Sequence, residues 1–311
     1  MVKFAVLGDA FVDVVAGTLG PNQLPQWGGD VECSRPIELQ PGGSALNTAT
    51  HLANLNCNVT LHTAVGNDSF ANVLKAHLDE RNIELSSPRL ENVPTGVCIV
   101  LSGATDRSFI THYGAARKFS VEHIDEDKVL SADHLHIGGF YSCASLRAKL
   151  KPLLQKAREN GITTSLDTNY DSSEKWDELD ELFPLIDVFL PNEVEAMKIA
   201  HTDSVETAMA YFAERIDGVT VIKIGAGGAM AHCSKTQQQW KQKSFPTAVV
   251  DVTGAGDSFN SGFLAAWKKN GGDVGDALRW GCGTASRTVA ALGACSFPLS
   301  HDEVLKLVTP N

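Results

Sequence analysis

No run of lysine or arginine longer than two residues occurs in this 311-residue chain, and the formal net charge is −11. A nucleic-acid binder carries a basic patch, so nucleic acid is not an expected partner. Long hydrophobic runs are missing too. None approaches the ~18 consecutive apolar residues that a membrane helix needs, so no membrane partner is expected. The opening FAVLGDAFVDVVAG comes nearest to a signal-peptide core, but Asp9 and Asp13 interrupt it and only Lys3 precedes it. It reads as a buried first strand. The seven cysteines are odd in number and show no C-x-x-C spacing. They imply neither zinc nor a disulfide framework and suit the reduced thiols of a cytoplasmic protein. Of the ten histidines only His134 and His136 lie close together, and their alternation in DHLHIGG fits a strand better than a metal site.

Several nucleotide signatures are also absent. A Walker A loop requires a Gly-Lys dipeptide, and there is none. The dinucleotide pattern G-x-G-x-x-G fails in GAGGAM, where Met230 takes the place of the third glycine, which disfavours a NAD(P) oxidoreductase. H-E-x-x-H does not occur, and GGSAL has Leu46 where a nucleophile elbow needs its last glycine. If ATP is bound, a different device holds its phosphates.

What is present is a globular composition, 43% hydrophobic and 20% charged, in a chain long enough for one large α/β domain or two ordinary ones. Strand and helix patterns alternate. KFAVLGD, NVTLHTAVG (58–66), HLHIGG, ITTSLDTN, DVFLPN and VTVIKIGAGG read as strands. Helical spacing covers 44–56, 69–82, 145–160, 174–183, 192–216, 256–269 and 273–291. Such alternation predicts a mostly parallel sheet with helices on both faces. Segments 11–40 and 96–113 break the rhythm, being strand-like without helices between, and are expected to form a small lid. Ligands of open parallel sheets gather beyond the carboxyl ends of the strands, where this chain concentrates glycine and polar residues.

The stretch DVTGAGDSF (251–259) carries the most chemistry. Phe259, Gly262, Phe263, Ala266 and Trp267 recur at helical spacing, so the glycines lie at a helix mouth. There, unpaired N–H groups and the positive end of the dipole welcome an anion, and Asp257 lies beside them. Phosphate chemistry with an adjacent acid–base group follows. Taken alone, the nine residues equally fit a tight turn with an N-capping aspartate.

Three motifs in this order and separation resemble the ribokinase-like (PfkB) carbohydrate and nucleoside kinases over essentially the full chain. They are PGGSALNTA (41–49), PNEVEA (191–196) and DVTGAGDSFNSGF (251–263). The resemblance implies a ribokinase-like three-layer α/β/α fold with a mostly parallel central sheet and a small β lid. It also implies one kinase domain over 1–311 and a cytoplasmic enzyme using ATP and Mg²⁺. By the same resemblance, Asp257 is the general base and the backbone of Gly254, Ala255 and Gly256 is the anion hole. Asn192 and Glu195 match the residues that organise Mg²⁺ and the nucleotide phosphates through water. The plain alternative for that pair is a helix start with exposed acids. KIGAGG, with Lys223, Gly225 and Gly228, resembles the strand end and turn beside the adenine and ribose.

On the acceptor side, Asp13 matches the aspartate that binds substrate hydroxyls, and Gly42, Gly43 and Asn47 match the substrate motif. Ser44 and Phe11 stand where ribokinases proper carry lysine and asparagine, which points away from ribose itself. GGSALN is closer to the form in adenosine kinases, and Phe140 in GGFYS is either a base-stacking ring or core. Asp171 in DTNYD replaces the arginine of sugar-acid kinases and argues against an anionic sugar acid. The implied reaction is phosphorylation of a hydroxymethyl group on a small neutral sugar. A nucleoside kinase of the same fold is the second reading, and a non-catalytic ligand-binding regulator the third. Asp251 and Thr253, with ALGACS (291–296), resemble the two loops of a K⁺ site, although Asp251 also reads as a turn residue. The lid of such a fold offers a surface for homodimerisation.

Overall fold

The alternation of strand and helix resolves, in a computed structural model, into a nine-stranded central sheet between two helical layers. Residues 1–17, 19, 26–33, 35–102, 107–295 and 299–309 are described. Seven strands run parallel: β1 (Lys3–Gly8), β4 (Asn58–His62), β6 (Glu84–Leu85), β10 (His134–Gly138), β11 (Thr163–Leu166), β12 (Val188–Phe189) and β13 (Val219–Lys223). Their spatial order is β13-β12-β11-β10-β1-β4-β6, and an antiparallel hairpin, β14 (Ala229–Cys233) with β15 (Gln238–Gln242), extends the sheet beyond β13.

Both faces of the sheet are buried, as continuous apolar strands require. In β1, Phe4 and Val6 enter one core while Ala5 and Leu7 enter the other. The first core is closed by α1 (Ser44–Asn54), α2 (Ser69–Glu80), α9 (Ala255–Lys269), α10 (Val274–Thr288) and α11 (His301–Val308). The second is closed mainly by α6 (Leu150–Glu159), α7 (Glu193–Ile199) and α8 (Val205–Ala213). Shorter helices α3 (Gly114–Lys118), α4 (Glu126–Leu130) and α5 (Ala144–Arg147) complete that layer.

The segments expected to leave the sheet do so. β2 (Phe11–Val15), β3 (Glu38–Gly42), β8 (Gly96–Ser102) and β9 (Arg107–His112) form a separate mixed sheet in the order β3-β2-β8-β9. The parts of the expected lid at 18, 20–25, 34 and 103–106 lie outside the described residues.

Three expectations are corrected. The helix expected over 174–183 is a series of turns followed by one 3-10 turn, Phe183–Leu185. Asp171 accepts from the N–H groups of Ser173, Lys175 and Trp176, and Glu174, Trp176 and Glu178 all have positive φ, so local side-chain bonding displaces the helix. The helix expected over 192–216 is two, interrupted at His201, whose φ is 51°. The strand over 58–66 ends at His62, and β5 (Val65–Gly66) pairs instead with β7 (Arg89–Leu90) in a small sheet of its own. No helix among the described residues is long and apolar enough to cross a membrane.

Candidate active site

Two helix N-termini, some 210 residues apart in sequence, face one another beyond the strand ends. Gly254 caps α9 with φ 70°, and a Cβ there would stand 2.8 Å from the Ala294 side chain. Only glycine satisfies both conditions. Gly43 caps α1 at φ 100°, where a Cβ would approach Ala10 Cα to 2.9 Å. The Ser258 N–H closes onto the Gly254 carbonyl at 2.9 Å as α9 begins, and the N–H groups ahead of it belong to the helix mouth. Ser261 on α9 donates to the Thr48 carbonyl on α1 at 3.0 Å, which ties the two helices together.

Asp257 lies between those mouths. Ser44 Oγ donates to its Oδ1 at 2.8 Å and Asn47 Nδ2 to its Oδ2 at 2.9 Å. Ser44 and Asn47 are three apart on α1 and so share a face. Burial raises the Asp257 pKa to about 6, reinforced by the charge of Asp167 and opposed by Asn47, Ser44 and Lys223. A carboxylate poised near neutrality, with fixed orientation, is suited to take a proton.

Asp13 projects from β2, and a side chain at Gly42 would fall on its carboxyl group, 2.3 Å from Oδ2. Burial, then the charges of Asp9 and Asp257, push Asp13 up to about 7. Asp9 is itself buried and raised to about 7 by desolvation, and accepts from the Ala45 N–H at 3.1 Å. Asn47 Oδ1 is buried without a partner among the described residues. Two acids held partly protonated and one orphaned amide oxygen are what a polyhydroxylated ligand would satisfy. Phe140, by contrast, is 0% exposed and packs edge-on to Tyr141, so its ring belongs to the core. Phe11, two residues before Asp13 on β2, packs edge-on to Tyr113 with ring centres 6.0 Å apart and the Arg117 guanidinium 4.2 Å over Tyr113.

Asn192 and Glu195 open α7 as a reciprocal capping box. Asn192 Oδ1 accepts from the Glu195 N–H and Glu195 Oε2 from the Asn192 N–H, both at 2.9 Å. Glu195 is nevertheless buried, and burial with the neighbouring Asp167 raises it to about 7, so it is not the exposed acid of an ordinary helix start. A parallel bridge joins Asn192 to Lys223 at the end of β13. Lys223 Nζ donates to Asp167 Oδ2 at 2.7 Å and to Asn260 Oδ1 at 3.2 Å. Gly225 opens the turn after β13, where a Cβ would meet no described residue within 4 Å, while Gly228 backs onto the Gln242 carbonyl.

Asp251 ties two loops together. Its Oδ1 accepts from the Thr253 N–H (2.9 Å) and hydroxyl (2.6 Å), and its Oδ2 from the Gly293 N–H at 2.9 Å. Ser296, the end of the second expected loop, lies outside the described residues. Among the described residues no group of three or more His, Cys, Asp or Glu side chains is placed to hold a metal ion directly.

Asp9, Asp167 and Asn260 join the site without having been assigned a role from sequence. Asn260 was legible as Asp257 plus three, on the same helix face, and Asp167 as an acid closing an apolar strand.

A family model for pfkB family carbohydrate kinases matches residues 1–301. The chain is 28% identical over 301 residues to an ATP-dependent ribose-1-phosphate kinase of Halopiger xanaduensis, covering 96% of this chain and 95% of that one. It is also 28% identical to the adenosine kinase of Saccharomyces cerevisiae, over 84% of this chain and 81% of the yeast protein. The Arabidopsis thaliana ribokinase complexed with ribose and ATP shares the fold, with a TM-score of 0.86 at 24% identity across 100% of both chains.

Proposed function

Because the chain belongs to the pfkB family of carbohydrate kinases, we propose that it moves the γ-phosphoryl group of ATP to a hydroxymethyl group of a small neutral sugar. The observation that carries this reading is the Asp257 carboxylate, fixed by Ser44 and Asn47 at the mouth of α9. The acceptor hydroxyl would hydrogen-bond to Asp257, which collects its proton as the bond to phosphorus forms. Backbone N–H groups at Gly254, Ala255 and Gly256 would hold the transferring group, where positioned dipoles cost no reorganisation. Asp13 and the free Oδ1 of Asn47 would fix the sugar by its neighbouring hydroxyls, with the backbone of Gly42 and Gly43 close alongside.

Mg²⁺ would neutralise phosphate charge, held by the nucleotide and its own water. Asn192 and the buried Glu195 would reach it through that water, which fits an acid with no ligand cluster around it among the described residues. Asp251 and Thr253 are the residues that would hold K⁺; the specific support for the alternative, a self-supporting loop, is the bridge from Asp251 to Thr253 and Gly293. One kinase domain over 1–311 with its lid at 11–40 and 96–113, in a cytoplasmic setting, completes the reading. The lid is also the proposed dimer surface. Leu39, Val14, Ile99 and Ile110 stand opposite one another in register, and Leu39, Ile99 and Ile110 are exposed.

A nucleoside acceptor is the second reading, favoured by GGSALN and by the Phe11–Tyr113 pair. A coupled ADP-release assay across sugars and nucleosides separates the two. Turnover with a neutral sugar is expected. Turnover with nucleosides alone reverses the order, and ligand binding without any turnover leaves a regulator.

A further inference from the structure

The proposed transfer leaves one buried cation without a part in it. Lys223 is 9% exposed at the carboxyl end of β13. An ammonium carries three donors. Two are engaged, by Asp167 Oδ2 at 2.7 Å and Asn260 Oδ1 at 3.2 Å, and Asn260 Nδ2 donates in turn to the same Asp167 oxygen. The head group is therefore fixed rather than free to follow a ligand.

Its position is informative. A Cβ built on Gly256 would stand 3.5 Å from Lys223 Nζ, and among the described residues no other atom beyond its adjoining residues and its own helix backbone comes within 4 Å. The space in front of Gly256 is thus open, with the ammonium at its edge and the mouth of α9 behind it. Stability alone accounts poorly for a buried ion pair there, since a well-packed apolar pair commonly serves as well. The surrounding charge is also unbalanced. Asp167, Glu195 and Asp257 all feel one another, and the cation acting on each of them is Lys223. A phosphoryl group entering among three carboxyl groups needs a fixed cation beside it.

We propose that Lys223 contacts the transferring phosphoryl group, donating its third hydrogen bond to an oxygen lying over Gly256, with Asp167 and Asn260 as its positioning residues. The inference rests on the kinase reading and moves Lys223 from the adenine end of the nucleotide to the phosphate end. It requires no proton or electron transfer at lysine, only a charge held where charge gathers as the phosphorus–oxygen bond is exchanged.

The test is nucleotide binding by calorimetry, using a non-hydrolysable ATP analogue and AMP on the full chain. Lys223→Met should weaken the analogue about 10- to 100-fold, as expected for one lost hydrogen bond to a charged group, and leave AMP unchanged. In turnover it should lower kcat with little change in the sugar KM. Because Asp167 would be left as a lone buried charge, Lys223→Met combined with Asp167→Asn is the folded control, and should show the same selective loss. Equal weakening of AMP and the analogue marks a purely structural lysine and overturns the proposal, as does unchanged analogue binding in either variant. Wild-type protein that binds neither nucleotide overturns the kinase reading together with this inference. Wild-type binding with an indifferent Lys223→Met overturns this inference alone.

Discussion

Asp257 is held from both carboxylate oxygens by α1, so Asp257→Asn changes its chemistry more than its shape. Turnover should fall by roughly 10²–10⁴ while Tm and nucleotide binding stay close to wild type. Steady-state kinetics with a melting curve check this, and near-normal turnover in a folded variant would remove Asp257 as the base. The pH profile follows from the same residues. In the roles proposed, Asp257 must be ionised to accept a proton and burial raises it to about 6, while Asp13 must be ionised to hold hydroxyls and burial raises it to about 7. Activity is therefore present above these values and lost as pH falls through them. On acidification kcat/KM should decline first through about 7 and then through about 6, whereas kcat at saturating sugar should show only the lower limb. A profile flat down to pH 5 would contradict both assignments. Phe140 marks the opposite case. Its ring is wholly buried, so Phe140→Ala should cost about 3–5 kcal/mol through a cavity, with nucleoside KM little altered. Chemical denaturation read beside KM separates the two effects.

The mouth of α9 is an element with a fixed support. Asp251 joins the loop before the helix to Gly293, and the Ala294 backbone beyond it receives a hydrogen bond from His51 on α1. A cation in this region would add positive charge behind the anion hole, so its effect belongs in kcat rather than in sugar KM. We expect turnover to be higher in K⁺ than in Na⁺ or in Tris alone at matched ionic strength, and Asp251→Ala to abolish the difference. Identical rates in all three buffers would rule out cation activation and leave a loop held by its own hydrogen bonds, those of Asp251 to Thr253 and Gly293 among them. A variant that still responds to K⁺ would place the ion elsewhere.

The molecule as a whole carries an apolar row on its second sheet, with Leu39 51%, Ile99 40% and Ile110 60% exposed in cross-strand register. A row of that kind at the face of a small sheet suits a second copy of itself. Light scattering should therefore give a dimer that Ile110→Lys converts to monomer with its Tm retained. A monomeric wild-type protein at micromolar concentration would remove the lid from the assembly.

Much of the architecture was readable because its signals are local. The unbroken apolar run Phe4–Leu7 marks β1 as a strand buried on both faces, and the apolar stripe from Phe259 to Trp267 defines α9 whatever surrounds it. The glycines before Asp257 mark a helix mouth because few other residues adopt the conformation Gly254 needs. The turns over 174–183 were not readable, since three N–H groups converging on Asp171 override helical spacing. Phe140 stood open between a base-stacking ring and core, because a ring at the end of a strand looks alike from sequence in either place, and burial decides for the core. The meeting of Ser44 and Asn47 with Asp257, and of Lys223 with Asp167 and Asn260, was decided only by tertiary structure. Those contacts span as many as 213 residues, and pairing at that range depends on how the parallel strands are ordered, which no local pattern encodes.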